Sequence, residues 1–258
     1  LQAKAQSKYS GKKENMKSLL KDVGFNKTLI IANIKRLQST INKLVWQVKE
    51  SEWLDYSDTH SYDAEEENKK KSFVRSVVQN RDSWGLVWDI GANVGIYSKI
   101  AAERARVVVS MDIDHATVER LYLSLKKENN KNIIPLVMNI AKQSPGVGWR
   151  GLERKSLSDR GKPELVLCLA LIHHVVISSN IPMSEFISWL ASLGGDVIIE
   201  FITKKDEMVQ TLLQNKEDIY LDYDIKHFEE CLLKYYTIDK KEEVKSGKRF
   251  LYHAKKIS

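Results

Sequence analysis

A glycine-containing turn after Asp89 has the residue types best suited to bind a cofactor. The apolar run at residues 86–90 reads as a buried strand, and Gly91, Asn93 and Gly95 then follow at alternate positions before a helical segment. Glycine lets the backbone adopt positive φ and approach a ligand closely. A helix N-terminus offers N–H groups that have no partner within the helix. The spacing therefore predicts a small-molecule site in this turn.

Two nucleotide-binding signatures do not match the turn. A dinucleotide fingerprint would need glycine where Asn93 and Ile96 stand, and no Gly-Lys-Ser/Thr of a phosphate-binding loop follows. Farther along the chain, Asp112 ends the β-branched run at residues 107–111. An acid about 20 residues after such a turn commonly holds ribose hydroxyls. We therefore predict that Asp112 binds a ribose, with Asp114 able to share the role.

The elements that must position these residues alternate between strand and helix from residue 84. Such alternation predicts an α/β fold with a mostly parallel sheet and helices on both faces. Because Pro135 lacks a ladder donor, its strand is expected at a sheet edge. The strands are predicted at residues 86–90, 107–111, 133–138, 165–169 and 197–201, with a final hairpin at 235–244 and 249–255. The helices are predicted at 96–105, 115–127, 183–193, 206–215 and 224–235.

Four pieces of the chain resemble, in order and spacing, the class I S-adenosylmethionine-dependent methyltransferases: VWDIGANVG, VVSMDID, LVMNIA and LVLCLALIHH. The resemblance covers roughly residues 84–256. It implies a Rossmann-like, mostly parallel seven-stranded sheet with one antiparallel strand, and an enzyme that uses S-adenosyl-L-methionine. A weaker resemblance to nodulation-associated, methyltransferase-like bacterial proteins rests on SP-x-x-GW, ER-x-SL, LALIHHV and IIEFI-x-K.

The resemblance also implies which residues bind the cofactor. Asp89 and the loop after it would hold the methionine part, Asp112 the ribose, and Asn139 with Ile140 the adenine. Asn139 stands where the family usually has Asp, but an amide can still accept from the adenine amino group. An ordinary strand-to-helix turn and solvated loop residues remain the alternatives. The full set is Asp89, Gly91, Ala92, Asn93, Gly95, Asp112, Ile113, Asn139, Ile140, Leu169 and Ala170.

Three residues are candidates for the reacting end: His173 and His174 after the fourth strand, and Glu200 on the fifth. Methyl transfer from a sulfonium depends on alignment and desolvation, and needs a base only if the nucleophile must lose a proton. Histidine has a suitable pKa for that base. The alternatives are a structural histidine pair that orders the loop, and a hydrogen-bonded acid at a strand end.

Several other chemistries are disfavoured by the residue pattern. The Asn/Asp-Pro-Pro-aromatic motif of amino methylation in DNA is missing, and carboxylates are not clustered as in metal-dependent transfer, so no metal is predicted. Cys168 and Cys231 are the only cysteines, which excludes a disulfide scaffold and zinc spacing and fits a reducing cytoplasm. Cys168 lies within a strand, so a cysteine nucleophile is disfavoured.

Two segments outside the motifs carry aromatic residues. Residues 141–164 contain Trp149 and several arginines, which would bind an anionic or planar substrate if they face the site, or would belong to a crossover helix. Residues 51–70 are predicted to be a connector whose Trp53, Tyr56 and Tyr62 form a lid or anchor the preceding helix.

The positive charge is concentrated at the start of the chain. The 258 residues carry a net charge of +7, but residues 1–50 hold 11 Lys and Arg against 3 Asp and Glu. Within them, residues 27–50 show the apolar spacing of an amphipathic helix. This helix would pack on its own domain or on a partner chain; the alternative is a helix that binds a membrane surface or nucleic acid. We predict a basic helical extension with a possible lid at residues 1–80 and a methyltransferase domain at residues 81–258.

No apolar run reaches the length of a membrane span, and the first residues lack a signal-peptide pattern. The first residue is Leu1, which leaves open that the chain is a piece of a longer protein. We expect a cytoplasmic methyltransferase acting on O or N of an unidentified acceptor, either a small molecule or a glycan-type metabolite. The alternatives are an RNA methyltransferase that docks through the basic N-terminus, and a non-catalytic module that binds S-adenosylmethionine.

Overall fold

The computed structural model describes residues 27–46, 64–214 and 217–257. The chain divides into two compact units, Leu1–Val48 and Lys49–Ser258. In the first unit, α1 spans Lys27–Asn42, which places a helix within the predicted segment 27–50. The predicted aromatic anchors Trp53, Tyr56 and Tyr62 lie outside the described residues.

The second unit contains the alternating strands and helices that the sequence predicts. Its strands are β1 Trp84–Ile90, β2 Ala105–Asp112, β3 Ile133–Val137, β4 Leu165–Cys168, β5 Asp196–Ile202, β6 Tyr236–Lys245 and β7 Arg249–Lys256. Its helices are α2 Ala64–Val78, α3 Ile96–Ala102, α4 His115–Lys127, α5 Met183–Ser192, α6 Glu207–Leu213 and α7 Ile225–Leu233. Short 3-10 turns lie at Ile140–Lys142 and Trp149–Gly151, and a π-helical turn at His174–Ser178.

The strands form one seven-stranded sheet in the order β3-β2-β1-β4-β5-β7-β6. The first five strands pair in parallel, whereas β7 runs antiparallel to both of its neighbours. The predicted sheet with one antiparallel strand is therefore confirmed, and Pro135 lies in an edge strand as expected. The order of strands reverses between β1 and β4, where a doubly wound sheet opens a crevice for ligands.

The core lies on both faces of the sheet, and β4 shows how. All four residues of β4 are buried. Leu165 and Leu167 pack in the cluster that holds Phe73 of α2 and Leu121 of α4, whereas Val166 and Cys168 pack in the cluster on the other face. Successive side chains of a strand point to opposite faces, so a strand covered on both sides reads as an unbroken apolar run.

Two segments differ from the sequence-based expectation. The predicted connector is wrong from residue 64 onward, because α2 begins at Ala64; Glu65–Lys69 and Glu67–Lys71 are ion pairs one helical turn apart, at 2.9 and 2.7 Å. The crossover-helix interpretation of residues 141–164 is also wrong. That segment contains two 3-10 turns and an isolated bridge between Val147 and Arg154.

Candidate cofactor and active site

A cavity of about 580 Å³ opens at the carboxyl ends of the central strands. Its volume lies within the ~300–1,000 Å³ typical of small-molecule sites. Most of the predicted site residues line it: Gly91, Ala92, Asn93, Asp112, Ile113, Asn139, Ile140, Leu169, Ala170, His174 and Glu200. Asp89, Gly95 and His173 were also predicted but are not among the lining residues.

The loop after β1 has the backbone conformation that its glycines suggested. Gly91 and Gly95 have φ of 77° and 78°, and Asn93 has φ of 48°. A Cβ atom on Gly95 would lie 2.6 Å from Cδ1 of Leu121, so the Leu121 side chain would have to shift. The carbonyl of Met111 accepts the N–H groups of Gly91 and Ala92, at 2.8 and 2.9 Å, and this fixes the loop against β2.

Asp112 occupies the end of β2 beside this loop. Its Oδ2 accepts the N–H of Asn93 at 2.7 Å, and its Oδ1 accepts the N–H of Asp114 at 2.9 Å. Burial raises the pKa of Asp112 above its ordinary value. Because each carboxylate oxygen can accept a second hydrogen bond, the group can still bind two neighbouring hydroxyls.

Asp114 is engaged elsewhere. Its Oδ1 accepts the N–H of Ala116 at 2.7 Å and caps α4. This contact explains why an acid stands there, since Asp is a favoured N-cap residue.

Asp89 lies buried beneath the loop rather than beside the cavity. Its Oδ2 accepts the hydroxyl of Ser98 at 2.5 Å, and Ser98 in turn accepts the hydroxyl of Ser110 at 2.7 Å. Burial raises the pKa of Asp89 to about 7. These bonds connect β1, α3 and β2 directly below the glycine turn. A role of Asp89 in holding the methionine part stays a prediction.

The ends of β2 and β3 form the opposite part of the cavity. Ile113 is 56% exposed and Ile140 is half-buried, so both present apolar surface to a flat ligand. The Oδ1 of Asn139 accepts the N–H of Ala141 at 2.9 Å and caps a 3-10 turn. The amide NH₂ of Asn139 is then the group best placed to donate to a ring nitrogen.

On the β5 side of the cavity, the predicted Glu200 lies beside charged residues that sequence reasoning missed. Glu200 is fully buried, and its Oε1 lies 2.6 Å from Nζ of Lys70 in α2. Its Oε2 accepts the N–H of Ala170 at 2.9 Å. Arg249 of β7 approaches Glu200 to 4.0 Å and forms a bidentate pair with Asp206, at 2.6 and 3.1 Å.

Lys70 had a signal in the sequence. It precedes Phe73, Val74 and Val77 at spacings of 3, 4 and 7 residues, so it lies on the buried stripe of α2. Arg249 and Asp206 gave no comparable signal, because 43 residues separate them.

The two histidines have different surroundings. His173 is buried, and its Nδ1 has no hydrogen-bond partner among the described residues. Burial lowers the pKa of His173 well below its ordinary value and that of His174 to about 4, so both rings are neutral near pH 7. Of the two, His174 lines the cavity. Its carbonyl accepts the N–H of Ser179 at 3.0 Å, which closes the π-helical turn.

The other candidate features lie away from the cavity. Trp149 is 78% exposed, and neither it nor Arg150, Arg154 or Arg160 lines the site. Within the described ranges, no group of His, Cys, Asp and Glu is placed to hold a metal ion. Nor does any helix in those ranges have the length and apolar character needed to traverse a bilayer.

One curated relative matches most of this chain. The nodulation protein NoeA of Rhizobium meliloti (strain 1021) is 31% identical over 223 residues, which cover 86% of this chain and 46% of that protein. The chain thus spans about half the length of the curated relative it matches. No family model matches the sequence.

Solved structures reveal the fold class. The N-methyltransferase NodS from Bradyrhizobium japonicum WM9 aligns with a TM-score of 0.54 at 9% identity, over 76% of this chain and 99% of that one. Its complex with S-adenosyl-L-homocysteine aligns with a TM-score of 0.55 at 10% identity, over 76% of this chain and 90% of that one. This chain has the class I methyltransferase fold. The resemblance that rests on the four sequence pieces is therefore confirmed at the level of the fold.

A third solved structure has a similar fold. The PH0226 protein from Pyrococcus horikoshii OT3 aligns with a TM-score of 0.53 at 13% identity, over 79% of this chain and 99% of that one. In this methyltransferase fold, the cavity lies where β1 and β4 diverge, the position that general rules give for ligands of such sheets.

Proposed function

We propose that this chain binds S-adenosylmethionine in the cavity and transfers its methyl group to a nitrogen or oxygen of a second substrate. The observation that carries the proposal is the meeting of Asn93 and Asp112 at the cavity wall. The Oδ1 of Asn93 is buried with no hydrogen-bond partner among the described residues, and the Asp112 carboxylate faces the same space. A buried acceptor without a partner is costly, and a ligand donor would remove that cost.

The remaining lining residues fit the same cofactor. In this proposal the loop at residues 91–95 holds the methionine part, with Leu169 and Ala170 opposite it. The Asp112 carboxylate accepts both ribose hydroxyls. Ile113 and Ile140 cover the adenine faces, and Asn139 donates to its edge. When bound, the cofactor supplies a methyl group that is already activated by its positively charged sulfur, so the protein contributes alignment and exclusion of water.

The acceptor would enter beside His174, where Ser178, Ser179 and Glu67 also line the cavity. A neutral imidazole accepts a hydrogen bond from an acceptor N–H or O–H and so orients its lone pair toward the methyl group. Methylation releases the proton of the acceptor N–H or O–H. Because the pKa of His174 is about 4, this proton would pass to solvent rather than stay on the imidazole. This arrangement supports a polar small molecule or glycan-type acceptor.

The relatives support the same class of reaction. NoeA is named as a nodulation protein and NodS as an N-methyltransferase. We infer that residues 81–258 carry the catalytic domain, and that residues 1–80 form an extension whose helix α2 contributes Glu67 and Lys70 to the cavity.

Calorimetric titration with S-adenosylmethionine and S-adenosylhomocysteine tests the cofactor. We expect binding of both, with ATP and NAD as nucleotide controls that do not bind comparably. If neither sulfur compound binds at about millimolar concentration, which corresponds to roughly 4 kcal/mol, the proposal fails.

Transfer of a tritiated methyl group tests the acceptor. The protein would be incubated with labelled S-adenosylmethionine and a panel of amines, hydroxyl compounds, oligosaccharides and RNA. Label on an amine or oligosaccharide supports the proposed acceptor class. Label on RNA instead, lost steeply as salt rises, would favour docking through the basic N-terminus. Cofactor binding without transfer to any member would favour a non-catalytic module.

A further inference from the structure

A chain of two contacts connects α2 to the loop that follows β4. The Lys70 ammonium lies 2.6 Å from Oε1 of Glu200, and Oε2 of Glu200 accepts the N–H of Ala170 at 2.9 Å. The side chains of Lys70 and Glu200 are 2% and 0% exposed. All three residues line the cavity. The carboxylate therefore joins a helix that precedes the sheet to the backbone at the reacting end of the site.

Ala170 needs such support because of its backbone conformation. Its φ is 48°, a left-handed value that residues other than glycine rarely adopt. The next residue, Leu171, packs against Gly91, where a Cβ atom would lie 3.3 Å from its Cδ1. The turn at Ala170 thus sets how closely the β4 loop approaches the glycine turn across the cavity.

We propose that Lys70 and Glu200 are a positioning pair, which holds Ala170 in its left-handed conformation and so fixes the wall against which the methyl end of the cofactor lies. This inference rests on the proposed cofactor. Both oxygens of Glu200 are already engaged, by an ammonium and by a backbone N–H, so the carboxylate acts through Ala170 rather than on the acceptor. Lys70 compensates the buried negative charge.

The surrounding charges explain how the pair is tolerated in the interior. Arg249 lies 4.0 Å from Glu200 and is itself paired with Asp206, so positive and negative groups alternate. Removal of one member of a buried pair leaves an uncompensated charge, whereas replacement of both members is often close to neutral. A double replacement can therefore remove the charges while the fold is retained.

Two double variants isolate the hydrogen bond to Ala170. In Lys70→Met/Glu200→Gln, the amide oxygen can still accept from Ala170; in Lys70→Met/Glu200→Leu, no acceptor remains. We expect S-adenosylhomocysteine to bind the first variant within about threefold of the original protein, and the second about tenfold more weakly, at similar thermal midpoints. Equal affinities in the two variants would overturn the proposal, because a merely structural pair predicts no difference.

The original protein provides a test that needs no variant. Because Glu200 holds the Ala170 amide before any ligand binds, hydrogen exchange at that amide is expected to be slow in the free protein, and rapid exchange would overturn the inference. This readout is separate from the proposed function. Failure of S-adenosylhomocysteine to bind the original protein contradicts the function, whereas normal binding with a rapidly exchanging Ala170 amide contradicts only the positioning role.

Discussion

The two ends of the cavity are built in different ways. At the β1–β3 end, side chains accept from backbone N–H groups at most 19 residues away: Asp112 bonds Asn93 and Asp114, and Asn139 bonds Ala141. At the β4–β5 end, the corresponding contacts join distant parts of the chain, because α2 and β7 both reach Glu200. A single substitution at the first end should mainly change ligand affinity, whereas removal of one member of the buried pair at the second end should mainly change the stability of the fold.

The largest effect is expected from Lys70→Met. Loss of the buried ammonium leaves Glu200 without its nearest cation, which should lower the free energy of unfolding by about 3 kcal/mol. Urea unfolding measures this change. Lys69→Met is the matched control, since Lys69 pairs with Glu65 on the exposed face of the same helix, at 43% and 70% exposure. If the two variants are equally stable, the β4–β5 end does not have the special role in stability that we infer.

Asp112→Ala should weaken binding of S-adenosylhomocysteine by roughly 30- to 100-fold. It removes an acceptor for two ribose hydroxyls, and each lost hydrogen bond contributes about 1–1.5 kcal/mol. Calorimetry measures the dissociation constant. Asp114→Ala serves as the control: it should lose about 1 kcal/mol of stability with its helix cap but keep its affinity. If Asp112→Ala binds normally, the ribose assignment is wrong.

His174→Gln should flatten the dependence of stability on pH between about 6.5 and 4. Because the folded protein lowers the pKa of His174 to about 4, the unfolded chain binds more protons in that range, and stability falls as the pH is lowered. The partly exposed ring should contribute about 2 kcal/mol across the range. Asp89, whose pKa is raised to about 7, acts in the opposite direction but is common to both proteins. Urea titrations of both proteins at about pH 6.5 and 4.5 measure this change. If the original protein and the variant lose the same free energy of unfolding between the two pH values, the prediction is wrong.

The smallest effect is expected from Asn139→Ala. One neutral hydrogen bond to the adenine edge contributes about 1 kcal/mol, so affinity for S-adenosylhomocysteine should fall roughly fivefold. Asn139→Asp keeps the cap on Ala141 and replaces the NH₂ donor with an acceptor. If Asn139→Ala binds as tightly as the original protein, Asn139 only caps its turn.

Much of the fold and of the β1–β3 end could be predicted from the sequence because their determinants are local. The acid at Asp112, the glycines at 91 and 95, and the proline at 135 each restrict a few neighbouring residues. The helix at His115–Lys127 has the predicted bounds, since a cap at Asp114 and an apolar stripe define it within one segment.

The β4–β5 end could not be read in the same way. Three consecutive lysines at 69–71 look equivalent in the sequence, yet only Lys70 is buried. Its partner Glu200 lies 130 residues away, and local pattern does not connect them. The charged residues at 65–67 and 69–71 also concealed the start of α2, because a run of charges resembles a solvated connector.

Pro135 makes the β3 edge of the sheet a poor site for aggregation. Asn132 accepts from Val108, and Met138 donates to Asp112, so the even-numbered residues of this stretch bond to β2 and Pro135 faces the open side of the sheet. An intruding strand would find no donor at that point. The other edge strand, β6, has irregular pairing near Ile238 and Glu243, and its exposed side chains are Thr237, Asp239, Lys241 and Glu243. Both edge strands thus disfavour aggregation by edge-to-edge strand pairing at high protein concentration.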